Sequence, residues 1–216
     1  VTPRRSTSTK LSTGACAVIV IGSANKDKAA ELERLLADLK VRVLTLDAFP
    51  KAPKVAETGR TFEANACKKA RAYSKLSDHL TLADDSGLCV RTLNNRPGVY
   101  SARFAGPGCN YLDNNKKLLR LLKGKSASSR NAFFCSTVAL YRRGRKIKVI
   151  KGVCRGRIAE EMRGSNGFGF DPTFIPSGSR KTFAEMTPAQ KNAVSHRARA
   201  LASVKKYLKK NPKLLV

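Results

Sequence analysis

The chain has 216 residues, 42% of them hydrophobic, and carries 43 Lys and Arg against 15 Asp and Glu, a formal charge of +28. That length buries a substantial core in one large domain or two intimate lobes, and no apolar run approaches the roughly 20 residues of a membrane-spanning helix. Two histidines, His79 and His196, exclude a His-rich metal site. The six cysteines form no CxxC pair, so a reducing compartment (cytoplasm, with the nucleus as alternative) fits better than a disulfide framework or a zinc site.

Val1 to Thr13 is polar, basic and rich in Ser and Thr, the composition of a disordered tail. The absence of Met at position 1 suggests processing, release from a polyprotein or a trimmed start. An α/β domain is expected over 14–210, with a short tail over 211–216. Cys16 to Ile21 reads as a buried strand. It leads through Gly22-Ser23-Ala24-Asn25 into a helix from about Lys26 to Lys40, whose apolar positions are 29, 32, 35, 36 and 39. A strand-loop-helix opening aims backbone N–H groups at the loop, which suits an anion. Arg42 to Leu46 is a second strand. Thr61 to Leu76 is a helix with Phe62, Ala66, Ala70 and Tyr73 on one side.

Leu82-Ala83-Asp84-Asp85-Ser86-Gly87-Leu88 is the stretch around which the chain is organised. A short buried strand, Leu80 to Ala83, is expected to end and hand its two acids to the sheet edge. Gly87 permits a sharp bend or a close approach of ligand to backbone. Adjacent carboxylates repel, so their place beside apolar residues calls for a nearby cation. A plain surface turn is the competing reading, since Asp, Ser and Gly are common turn residues. Leu88 to Leu93 reads as another strand and Asn94 to Gly98 as a turn. Asn110 can cap a helix running to about Leu122. Asn131 to Tyr141 and Lys146 to Ile158 form a hairpin through Arg142-Arg143-Gly144-Arg145. Gly164 to Pro172 is a glycine-rich loop, and Ala193 to Lys210 a final helix with apolar positions 194, 198, 201, 204 and 208. The mix of βα units and a long hairpin predicts an α/β fold with a mixed sheet.

Five ordered blocks resemble the Ham1/inosine triphosphate pyrophosphatase family over roughly residues 15 to 208. They are Ser23-Ala24-Asn25-Lys26-Asp27-Lys28; Glu57-Thr58-Gly59 with Thr61-Phe62; Asp84-Asp85-Ser86-Gly87-Leu88; Arg96-Pro97-Gly98-Val99-Tyr100-Ser101-Ala102-Arg103-Phe104-Ala105-Gly106; and Gly167-Phe168-Gly169-Phe170-Asp171-Pro172 with Ser195-His196-Arg197. The resemblance implies an elongated mixed central sheet flanked by helices, two lobes around a nucleotide cleft, and a homodimer. It implies hydrolysis of ITP, dITP or XTP to the monophosphate and pyrophosphate, with Mg2+ as cofactor and Mn2+ as alternative.

The resemblance also implies roles. Asp85 matches a catalytic proton acceptor and metal ligand, with Asp84 placed to orient water or metal. Glu57 matches a metal-binding glutamate. Ser23 and Asn25 match ligand contacts of the first loop, Lys28 matches a phosphate-clamping lysine, and Lys191 matches a phosphate- or ribose-binding lysine. Ser86 would bind ligand through its hydroxyl, and Phe168 offers a ring on which a purine stacks. Gly169, Phe170 and Asp171 belong to the same loop; an ordinary core aromatic is the competing reading of Phe168, and it suits Phe170 better. His196 and Arg197 carry base reading: an Arg donor satisfies a 6-keto oxygen and opposes adenine's amino group. Ser195 also reads as a helix N-cap. The chain departs from the family pattern at Ala24, where glycine is usual, at Phe170, where tyrosine is usual, and at Ala64, where the pattern has an acid. Glu63 lies one residue early, about 100° around a helix.

The same residues support two other readings. The departures leave room for a shifted substrate, another damaged or pyrimidine triphosphate. The charge of +28 fits attraction to nucleic acid, although no aromatic-basic interleaving marks a nucleic-acid module.

Overall fold

The computed structural model describes residues 17–215. The expected tail over 1–13 and the expected strand start at Cys16 lie outside them, as does Val216. In chain order the elements are β1 (Val18–Ile21), α1 (Lys26–Leu36), β2 (Arg42–Leu44), α2 (Phe62–Tyr73), β3 (Leu80–Val90), β4 (Arg96–Pro97), α3 (Tyr111–Leu121), β5 (Asn131–Arg142), β6 (Arg145–Ile158), β7 (Phe174–Pro176), α4 (Pro188–Val194) and α5 (His196–Lys210). The seven strands form one mixed sheet in the order β2-β1-β3-β5-β6-β7, with β4 on β3. β1 runs parallel to β2 and β3; every other pairing is antiparallel.

Local signals set most boundaries. Asn110 caps α3 in a full capping box with Asp113. The hairpin turns at Arg143 and Gly144, both at positive φ (49° and 76°), the backbone that a tight two-residue turn requires. The expected single C-terminal helix is two helices. Ser195 breaks them with an extended backbone, and its hydroxyl accepts from the Ala198 N–H at 3.1 Å, capping α5. The first helix stops at Leu36, four residues before Lys40. Where a tail was expected, Pro212–Leu215 forms a 3-10 helix, and Leu214 and Leu215 pack on the core.

The largest correction concerns β3. It neither ends at Ala83 nor lies at the sheet edge: it is a central strand that continues through Asp84, Asp85, Ser86 and Gly87 to Val90. The separate strand expected over Leu88 to Leu93 is its second half, followed by a 3-10 turn at Arg91–Leu93. Antiparallel pairing to β5 runs unbroken from Thr81 to Val90 and supplies the backbone partners that keep the polar stretch extended.

On its other side β3 pairs with β1 only up to Leu82 and with β4 only from Cys89. The acids therefore face a gap between two neighbours. Leu80 and Leu82 belong to one core, with α1, β1 and α5; Leu88 and Val90 belong to a second, with Leu118, Phe134 and Phe174. A third cluster, including Ala66, Ala70, Ala83 and Ala139, seats α2 on the opposite face. Two cores at the ends of three long strands, with polar residues between, make two lobes and a cleft.

Candidate active site

Successive strand residues point to opposite faces, and the two acids use this. Asp84 faces α5: its Oδ2 accepts from Arg197 Nε at 3.2 Å. Asp85 faces α2: its Oδ2 accepts from Asn65 Nδ2 at 3.0 Å. Both are buried. Burial pushes the Asp84 carboxyl up, but Lys28, Arg197 and Lys69 outweigh it and hold it well below the usual carboxylate range. For Asp85 burial wins. Together with Glu57 it raises the carboxyl against the pull of Lys28 and Lys69. Gly87 serves a close approach, though of the protein rather than of a ligand: a Cβ there would run into the Ser101 side-chain Oγ and the Gly98 carbonyl oxygen.

The first loop and α1 supply one wall. Asn25 caps α1, accepting from the Lys28 N–H at 2.9 Å, and its amide donates to the Tyr111 hydroxyl at 3.2 Å. Ser23 donates to the Asn25 carbonyl at 3.3 Å. Burial lowers the Lys28 ammonium while Asp84 opposes that shift. Lys28 and Asn25 line both compartments of the cleft. One is a groove of about 870 Å³ with Ser23, Glu57, Lys69 and Tyr73. The other is a smaller aromatic pocket of about 70 Å³ with Ser86, Phe168, Lys191 and Arg197.

In the groove, Lys69 bonds Glu57 and lies 4.0 Å from Asp85 Oδ1. Burial raises the Glu57 carboxyl, but Lys69 and Lys28 bring it below its ordinary value. Burial works against the Lys69 charge, and Asp84, Glu57 and Asp85 more than restore it. A cation thus already sits between two carboxylates, and Asp84 Oδ1 is buried without a hydrogen-bond partner. These hard oxygens fit a Mg2+ that takes one or two protein carboxylates and completes its shell with phosphate and water. Among the described residues no cluster of three or more His, Cys, Asp or Glu could hold a metal ion. Glu63 takes no part here; it pairs with Lys151 on β6 at 2.8 Å.

In the pocket, Phe168 stands between Tyr111, whose ring lies 6.0 Å away, and Lys191, whose Nζ lies 5.0 Å from its centroid. Asp171 braces this loop. Its Oδ2 accepts from the Phe168 N–H at 2.8 Å and from Lys191 Nζ at 2.7 Å. Burial raises the Asp171 carboxyl against the pull of Lys191. Gly169, at φ 64°, offers its carbonyl to Asn115 Nδ2 at 2.7 Å. Phe170 borders the pocket but packs into the second core, edge-on to Phe104. His196 is buried and stacks on Phe134 at 4.6 Å. Burial, with Arg197 and Lys191, lowers it well below its ordinary value. Arg197 donates to Asp84, to Glu31 and, at 2.9 Å, to Ser86 Oγ.

Reasoning from sequence missed Glu31, Asn65, Lys69 and Tyr111. Glu31 is buried on α1, bonding Arg197 and lying 3.7 Å from Lys191. A signal existed: Glu31 sits among Ala29, Leu32 and Leu36, and Lys69 among Ala66, Ala70 and Tyr73. A charge inside an apolar helical stripe needs a buried partner.

The sheet, gap and paired charges define an α/β protein with a polar cleft between two lobes. More particularly, the chain belongs to the Ham1 family, whose model matches residues 19–207. A dITP/XTP pyrophosphatase of Geobacillus kaustophilus is 46% identical over 186 residues, covering 86% of this chain and 91% of its own length. One of Thermoanaerobacter pseudethanolicus is 41% identical, covering 89% and 96%. The solved structure of a HAM1 protein from Coxiella burnetii superposes with a TM-score of 0.80 at 39% identity, covering 90% of this chain and 99% of that one.

Proposed function

We propose that this chain is a Mg2+-dependent nucleoside triphosphate pyrophosphohydrolase that converts ITP, dITP and XTP to the monophosphate and pyrophosphate. The observation that carries the reading is the division of labour at β3. Asp85 lies 4.0 Å from Lys69, which lines the groove with Lys28 and Glu57, and its neighbour Asp84 bonds Arg197, which lines the aromatic pocket with Lys191. The relatives' name, dITP/XTP pyrophosphatase, supports it.

In this reading the triphosphate lies in the groove and the base beside Phe168. Glu57 and Asp85 would hold Mg2+, which when bound neutralises phosphate charge and polarises water. Lys28 and Lys69 add positive charge along the triphosphate. Asp85, whose carboxyl is raised by burial, accepts the proton of the attacking water, whose oxygen bonds to phosphorus as the α–β bridge breaks and pyrophosphate leaves. Arg197 has five N–H groups. Three serve Asp84, Glu31 and Ser86, and the others serve a 6-keto oxygen. Adenine would oppose that donor with another. We read the chain further as a cytoplasmic homodimer, which sedimentation of the purified protein tests. Among the described residues no helix is long and apolar enough to cross a membrane.

The test is pyrophosphate release from ITP, dITP, XTP, ATP, GTP and pyrimidine triphosphates, with and without Mg2+. Preference for ITP, dITP and XTP is expected. A preference for a pyrimidine triphosphate would overturn the substrate and leave the reaction type.

A further inference from the structure

The cleft does not account for the charge of +28. Its buried acids Glu31, Asp84, Asp85 and Asp171 are already matched by buried Lys69, Lys191 and Arg197 and the half-buried Lys28. A patch of the excess lies on the far side of α2 and beside its C-terminus. Lys68 and Arg71, three residues apart and so on one helix face, are exposed there, and Lys75, in the turn that follows α2, extends the stripe. The step from Lys68 to Arg71 rises about 4.5 Å along the axis. The β5–β6 hairpin faces this stripe and brings Arg143, Arg145 and Lys146, all exposed.

Between stripe and hairpin runs a groove of about 410 Å³, lined by Ala64, Cys67, Lys68, Arg71, Lys75 and Tyr141 among others, without a carboxylate among the described residues. Two carboxylates nearby are engaged with cations: Asp78 pairs with Arg143 at 2.7 Å and Glu63 with Lys151 at 2.8 Å. The walls are tied to each other. The Gly144 N–H at the hairpin tip donates to Ser74 Oγ, the C-cap of α2, at 3.0 Å. The groove shares no residue with either compartment of the cleft.

We propose that this groove binds the phosphate backbone of a nucleic acid. A preformed row of cations with no lining carboxylate is complementary to a chain of phosphates, and the counterions released drive binding. Tyr141 is only 7% exposed, so the groove offers no aromatic face for base stacking, and recognition is independent of sequence. None of the exposed large apolar side chains lines it, so it has nothing to insert into a lipid surface, which disfavours a membrane.

The experiment measures binding of the full chain to labelled homopolymeric single strands and to a duplex of equal length, across a salt series. Lys68 also bonds Thr58 beside Glu57 at 3.0 Å and is left intact. The test variant is Arg71→Gln/Lys75→Gln/Arg145→Gln. The control, Lys116→Gln/Arg120→Gln/Lys123→Gln, removes the same charge elsewhere. We expect binding to one or both forms, similar affinity for each homopolymer, and about a tenfold or greater loss in the test variant. The slope of log affinity against log salt should fall by roughly two to three. Pyrophosphate release should be unchanged in both variants. Equal losses in test and control would reduce the effect to net charge and overturn the groove. So would undiminished binding in the test variant, or binding to phosphatidylserine vesicles with none to nucleic acid.

Discussion

Asp84 and Asp85 are chain neighbours that share no side-chain hydrogen-bond partner: Asp84 bonds Arg197 at 3.2 Å on the α5 side of β3, and Asp85 bonds Asn65 at 3.0 Å on the α2 side. The period-2 geometry of a strand separates their environments. One carboxyl is held well below its ordinary value and the other is raised. Two acids pushed in opposite directions can do different work.

The two acids should respond differently to amide replacement. Asp84→Asn takes from the buried Arg197 one of its two carboxylate partners, Glu31 being the other, and from Lys28 a nearby counter-charge, and should cost up to about 3–5 kcal/mol of stability. Asp85→Asn removes a charge that burial already opposes. It should leave stability nearly unchanged while abolishing most hydrolysis, since an amide accepts no proton. Urea denaturation and pyrophosphate release, run on both variants, check this. An active Asp85→Asn enzyme would falsify its role as base.

Glu57→Gln should raise the Mg2+ concentration needed for half-maximal rate by roughly tenfold, because a neutral amide is a poorer ligand for a hard cation. Lys69 then loses one of its acids and should draw closer to Asp85. A metal titration of initial rates reads the effect, and an unchanged midpoint would return Glu57 to pairing with Lys69 alone.

Arg197→Ala should lower the ITP/ATP ratio of kcat/KM. A charge-assisted bond to a 6-keto oxygen contributes about 1.5–3 kcal/mol, so ITP should lose roughly ten- to a hundredfold and ATP much less. The same change strips Asp84 and Glu31 of a partner, so stability falls as well. Only the ratio isolates base reading. Equal losses for both substrates would make Arg197 a scaffold for Asp84, Glu31 and Ser86.

His196 should impose a pH dependence on stability. Its folded-state pKa lies well below 6.5, through burial and the neighbouring Arg197 and Lys191. The unfolded chain therefore takes up a proton below about pH 6.5 that the folded chain refuses. Its contribution is fully present above that pH and is lost as pH falls, with a slope of up to about 1.4 kcal/mol per pH unit. Denaturation at pH 7.5, 6.5 and 5.5 should show the decline, and His196→Gln should flatten it. An equal slope in the variant would assign the effect to other groups.

The sequence by itself determined the family, the opening order β1-α1-β2-α2, the helix α3 with its cap Asn110 and the β5–β6 hairpin turning at Arg143-Gly144; β4, β7 and the break between α4 and α5 escaped it. What it determined rests on local patterns: short spacings, apolar periodicity and residues suited to one backbone conformation. It also held the clue to the cleft. Alternate residues of β3 read Leu80, Leu82, Asp84, Ser86, Leu88, Val90, two polar positions between two apolar pairs on one face. Only the tertiary structure decided that β3 continues through its acids, because the pairing that keeps them extended comes from β5, about 50 residues away. It alone placed Glu31 and Lys69 in the site, turned Glu63 to Lys151, and committed Arg197 to three partners. Those contacts join segments distant in the chain. A buried charge is stable only with partners that folding brings to it, and no local pattern specifies which partners those are.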